Sequence, residues 1–98
     1  MMNKAEKTLE HFIDISRNIL SIEGVEAVSH YFKHDEFEMC FEGLIIELMS
    51  NNLYPDRFNF AEWKNLAVEY GLDENSVFDG FFWRNFNQWG NYYDKENY

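Results

Sequence analysis

Residues 30–49, HYFKHDEFEMCFEGLIIELM, carry two histidines, one cysteine and five carboxylates, the densest set of potentially reactive side chains in the chain. His30, His34 and Glu38 recur every four residues, a spacing that one unbroken helix would align as metal ligands. Asp35 argues against such a helix, because aspartate competes for backbone amides and serves better as a cap than inside a turn. A zinc-protease pattern needs a glutamate directly after the first histidine, where Tyr31 stands. A di-iron carboxylate pattern needs Glu-x-x-His on two helices; Glu26 to His30 is one residue too long and occurs once. The histidines therefore read as residues of a helix end, and no metal and no cofactor is expected.

Cys40 invites a nucleophile reading with either histidine. It lies between Phe37 and Phe41 on an apolar stripe, where a thiol packs as a small hydrophobe. The surrounding acids would raise its pKa, the wrong direction for a reactive thiolate. Paired carboxylates doing acid–base work need a shared pocket and separated pKa values, which a run of similar solvated groups does not provide. The five glycines are scattered singly, so there is no phosphate-cradling loop. No catalytic residue is assigned, and the chain is expected not to be an enzyme.

The elements that would position these residues read as helices throughout, with apolar residues at a period of 3.6 rather than 2. A first helix over residues 4–20 places Leu9, Phe12, Ile13, Ile19 and Leu20 on one face. A short second helix, residues 25–33, follows a break at Gly24. The third starts at Asp35, with Glu38 in the capping-box position and Phe37, Cys40, Phe41, Leu44, Ile45 and Leu48 as its core stripe. Met39, Ile46 and Met49 lie off that stripe. The one proline, Pro55, marks the main loop. A fourth helix opens with a capping box at Asn59 and Glu62 and stops at Gly71, with Leu72 folding back and Asp73 capping the next helix. The fifth, residues 74–89, carries Val77, Phe78, Phe81, Phe82, Phe86 and Trp89 on one side, with Trp83 turned away beside Asp79. Residues 90–98 then form an aromatic C-terminal tail with Tyr92, Tyr93 and Tyr98; Trp89, just before it, can fold back to close the bundle. The expected fold class is all-α, a single compact bundle of about five helices forming one domain over residues 1–98.

The formal net charge of −10 disfavours nucleic-acid or anionic-membrane surfaces and favours a basic partner. Residues 21–50 hold seven of the eighteen carboxylates against one lysine, so the field concentrates on the second and third helices. There Asp35, Glu38 and Glu42 flank the off-core Met39, Ile46 and Met49. Carboxylates bordering an apolar strip suit a docking surface for a basic protein, since charge steers the encounter and apolar burial holds it. A solvated face beside a central helix reads equally well from the same residues. The candidate partner-binding residues are Asp35, Glu38, Met39, Glu42 and Ile46, with a second group of Asp79, Trp83, Tyr92 and Tyr93. One cysteine excludes an internal disulfide. The opening MMNKAEKTLEHF lacks a signal-peptide pattern, and the longest apolar run, Leu44-Ile45-Ile46, is far short of a span. A cytoplasmic location without membrane contact is expected.

The stretch from Val25 to Trp89, about two-thirds of the chain, with EAVSHYFKHDEFEMCFEGLIIELM (residues 26–49) followed by FAEWKNLAVEYGLDENSVFDGFFW (residues 60–83), resembles small acidic immunity proteins of bacterial toxin–immunity systems. The likeness is to those of contact-dependent growth inhibition and of the Maf type. It rests on a His-Asp-Glu-Phe-Glu helix start, a Phe-Glu-Gly-Leu helix body and a Trp-Lys-x-Leu-Ala…Gly-Leu-Asp helix pair. The resemblance implies a cytosolic protein that binds the C-terminal domain of one cognate toxin, an RNase or DNase, and blocks it stoichiometrically. It carries over no binding residue. A nuclease presents cations to a phosphate backbone, so an acidic cover suits it, with affinity expected to be nanomolar or tighter, about −12 kcal/mol. The alternative is an acidic regulatory adaptor, or a nucleic-acid mimic occupying a DNA-binding protein.

Overall fold

The computed structural model describes residues 2–97, so Tyr98 lies outside the described residues. Its centre is helix α3 (Phe37–Ser50), whose stripe of Cys40, Phe41, Leu44, Ile45 and Leu48 is wholly buried. Around it lie α1 (Lys4–Ser16), α2 (Ile22–Lys33), α4 (Phe60–Glu69) and α5 (Phe82–Glu96), with a 3-10 turn at Arg17–Ile19. The fold is all-α, a single bundle with a radius of gyration of 12.5 Å, against an expectation of about 13 Å for a compact chain of this length.

Three helices stop in the same way. After α2 the chain turns through Asp35 (φ 58°), after α3 through Asn52 (φ 52°) and after α4 through Gly71 (φ 77°). In each case the next amide reaches back five residues: Glu36 to the Tyr31 carbonyl (2.9 Å), Leu53 to Leu48 (2.9 Å) and Leu72 to Ala67 (2.9 Å). These are Schellman closures, which satisfy carbonyls that a helix end leaves orphaned. Gly71 and the buried Leu72 take the places expected of them. Asp35 does not, because it ends α2 instead of capping α3. The first residue before α3 is Glu36, whose side chain makes no cap bond, and Glu38 closes no capping box. Aspartate tolerates the left-handed conformation that this tight α2–α3 turn demands, and that use displaces the capping one.

The other starts follow local chemistry. Asn3 and Glu6 form a reciprocal capping box on α1, with bonds of 2.8 and 3.0 Å. Asn59 accepts the Glu62 amide at the head of α4 (3.1 Å). The first helix is shorter than residues 4–20, because the chain tightens into the 3-10 turn and Leu20 is extended. Ser21 then caps α2 by accepting the Gly24 amide (3.0 Å), so Gly24 lies inside the helix rather than breaking it. A methyl group there would sit 3.2 Å from Glu47 Oε2, so the glycine lets α2 lie close along α3.

The last helix departs furthest from expectation. Residues 74–81 are not helical, and α5 runs seven residues beyond Trp89, through the segment expected to be a tail. Asn75, Ser76 and Gly80 favour turns over helix. Downstream, Phe82, Phe86 and Trp89 are buried and Tyr93 continues their face one turn on. Gly90 lets α5 pass directly over the Phe60 ring, where any added methyl would overlap that ring. Trp89 does close the bundle: it stacks on Tyr54 at 4.7 Å, and the Tyr54 hydroxyl donates to its carbonyl (2.7 Å). Phe12 stacks on Trp63 at 4.5 Å, and Phe58 meets Trp63, Trp89 and Tyr93 edge-on, so much of the aromatic excess is spent in one connected core.

Candidate docking surface around α3 and α5

Glu42 organises this side of the molecule. It lies on α3 next to Phe41 in sequence and is fully buried. Its Oε1 accepts the Val77 amide (2.6 Å), and its Oε2 accepts the amides of Phe78 (2.7 Å) and Asp79 (3.2 Å). Three consecutive backbone donors converging on one carboxylate form an anion nest, here filled by the protein's own side chain. The bonds explain why residues 77–79 are not helical: their amides are committed to α3. Glu42 is thus a structural anchor inside the fold, not part of an exposed acidic fringe.

The anchored loop displays apolar side chains outward. Val77 and Phe78 are about half exposed, and Phe81 is 63% exposed. The Phe78 ring lies 5.9 Å from that of Tyr31 and over Gly43, so it roofs part of the α3 face between Met39 and Ile46. The Arg84 guanidinium sits 4.8 Å over the Phe81 ring. An apolar loop held in place by hydrogen bonds to a buried carboxylate has already lost the conformational entropy that binding would otherwise cost.

Beside the loop an open groove of about 780 Å³ runs between α3 and α5. Ile46 and Met49 line it from α3; Asn85, Gln88, Trp89 and Tyr92 line it from one face of α5. Asp79 stands at the loop end and Tyr54 at the other, where burial and the neighbouring Tyr92 push the Tyr54 hydroxyl pKa up. Asp79 Oδ1 accepts the Phe81 amide (2.9 Å), and Oδ2 accepts from Asn85 Nδ2 (3.5 Å).

Of the sequence-predicted residues, the structure brings Ile46, Asp79 and Tyr92 together in this groove, and buried Glu42 holds the Asp79 amide. Asp35 and Glu38 are exposed and Met39 half-buried at the start of α3, about two turns from Ile46. Trp83 is half-buried on the other flank of α5, its ring 5.7 Å from both Phe86 and the Lys64 ammonium. Tyr93 packs inward on Tyr54 and Phe58. Helical periodicity puts Val77, Phe78 and Phe81 on a core stripe, whereas the structure turns all three outward as surface. The helix-poor Asn75-Ser76 and Gly80 were the available signal.

The reactive-looking residues of the opening stretch are also located. Cys40 is fully buried, its thiol 3.3 Å from the Val28 carbonyl, and desolvation pushes its pKa up to about 12. The sign is the one expected, but burial is the cause, not the neighbouring acids. The His30 and His34 rings lie 4.5 Å apart at the exposed end of α2. Among the described residues, no three His, Cys, Asp or Glu side chains converge as a metal set, and no helix is long and apolar enough to cross a membrane. No protein-family model, no curated protein and no solved structure matches the chain.

Proposed function

We propose that this protein is an inhibitory binding module: an immunity protein that docks on a basic bacterial toxin domain, an RNase or DNase, in the cytoplasm and occludes it one to one. The observation that carries the reading is the Val77–Phe81 loop, whose apolar side chains face solvent while Glu42 fixes its backbone from inside. Exposed aromatics on a preorganised backbone are the usual anchors of a protein interface. The charge of −10 supplies steering toward a cationic partner. The resemblance of residues 26–49 and 60–83 to immunity proteins supplies the kind of partner.

The test is capture of the cognate toxin domain on the immobilised chain, followed by its activity assay with the chain added back. The expected result is a stoichiometric complex that loses toxin activity and an association rate that falls as salt is raised. Phe81→Asp should weaken the complex by about 2 kcal/mol or more while leaving the fold intact. Capture of a DNA-binding regulator with no toxin neutralised would replace this reading with the adaptor or mimic one.

A further inference from the structure

The groove between α3 and α5 has a charge asymmetry that says what it receives. Asp79 is the one carboxylate among its described lining residues, and that lining holds no lysine, arginine or histidine. The only ion pair among the described residues, Arg17 with Asp14, lies elsewhere. Arg84 rests instead over the Phe81 ring, and Lys64 beside Phe60 and Trp83 on the other flank of α5. Asp79 is therefore an oriented anion without a counter-cation. Its amide is held by Glu42 (3.2 Å), and its two oxygens each accept one bond within the protein, from Phe81 (2.9 Å) and Asn85 (3.5 Å). Each carboxylate oxygen keeps a further lone pair.

We infer that this groove is the receptor for an arginine side chain of the basic partner, with Asp79 as its counter-charge; the inference rests on the docking function proposed above. Arginine fits the lining in both its parts. Ile46 and Met49 form an apolar wall along which its methylene stem lies, and the α5 face from Asn85 to Tyr92 extends about 10 Å, enough for that side chain and its backbone. The guanidinium fork spans both free lone pairs of Asp79, while the side-chain oxygens of Asn85 and Gln88 accept its remaining N–H groups. A lysine ammonium is a compact point charge and leaves most of those acceptors unused.

The experiment titrates blocked Ala-Arg-Ala, Ala-Lys-Ala and Ala-citrulline-Ala onto the isotope-labelled full chain and follows amide resonances. The arginine peptide should shift Asp79, Asn85, Gln88 and Tyr92, and bind about tenfold more tightly than its uncharged citrulline counterpart. Asp79→Asn keeps an acceptor for the Phe81 amide and should erase that difference. Equal binding of arginine and citrulline, shifts spread over the whole acidic surface, or shifts unchanged in Asp79→Asn would each overturn the inference. Lysine matching arginine would overturn the guanidinium assignment. The readout needs no toxin, so failure of the capture experiment leaves a positive peptide result standing. A captured toxin whose binding tolerates Asp79→Asn overturns the groove assignment alone.

Discussion

Glu38 and Glu42 sit one turn apart on α3 and have opposite fates. Glu38 is exposed, while Glu42 is wholly buried beneath the residue 77–81 loop, accepting three backbone amides. The residue type and the helix are the same; the difference is a loop thirty-five residues further along the chain that supplies the donors. A buried carboxylate is costly unless hydrogen-bonded, so the loop makes the burial of Glu42 tolerable, and Glu42 in turn holds the loop. A negative residue count therefore overstates the docking field of α3 and understates the structural work of one of its acids.

The sharpest way to break this comparison is to truncate each acid. Glu42→Ala should lower the unfolding free energy by about 2–4 kcal/mol, because three amides lose their acceptor and the loop lifts off α3. Hydrogen exchange at Val77, Phe78 and Asp79 should accelerate in that variant ahead of the rest of the chain. Glu38→Ala should stay within about 0.5 kcal/mol in the same denaturation experiment. Similar losses for the two variants would dissolve the distinction.

A steric counterpart separates the contribution of space from that of charge. Gly90→Ala drives a methyl into the Phe60 ring where α5 crosses α4. It should cost about 1–3 kcal/mol despite the better helix propensity of alanine, read as a lowered denaturation midpoint. Unchanged stability would mean that α5 can lift away from Phe60 without loss.

The smallest effect sharpens the contrast between a buried acid given donors and buried acids given none. Desolvation raises the Cys40 pKa from 9.0 to about 12. The Tyr70 hydroxyl is buried without a partner, and its pKa rises from 10.0 to about 12, first through burial and then through Glu6, Glu69, Cys40 and Glu38. Both pKa values are raised in the folded state, so the contribution to stability is complete below pH 9.0. It is lost as pH climbs toward about 12, because the unfolded chain ionises first. Denaturation midpoints should be flat with respect to these groups below pH 9.0 and fall above it. Cys40→Ala should make that alkaline decline shallower. An equally steep decline in the variant would assign it to other groups.

The sequence by itself determined what depends on neighbours within a turn or two. The helical period, the buried stripe of α3, the Asn59 start of α4 and the Gly71–Leu72 stop of that helix are all local, because caps and amphipathic faces are set by residues three or four apart. Asp35 shows where local reasoning ends: capping and left-handed turning are both open to aspartate, and the close approach of α2 to α3 selected the second. Tertiary structure alone decided that the 77–79 amides are held by Glu42, that α5 continues past Gly90 to Glu96, and that Ile46, Asp79 and Tyr92 share a groove, whereas Asn75, Ser76 and Gly80 already weaken a helix there locally. Each outcome turns on a partner distant in the chain, Glu42 for the loop and Phe60 and Tyr54 for α5. The periodicity of residues 74–89 places Val77, Phe78 and Phe81 on a buried stripe, yet three amides bound to one distant carboxylate turn them out to solvent.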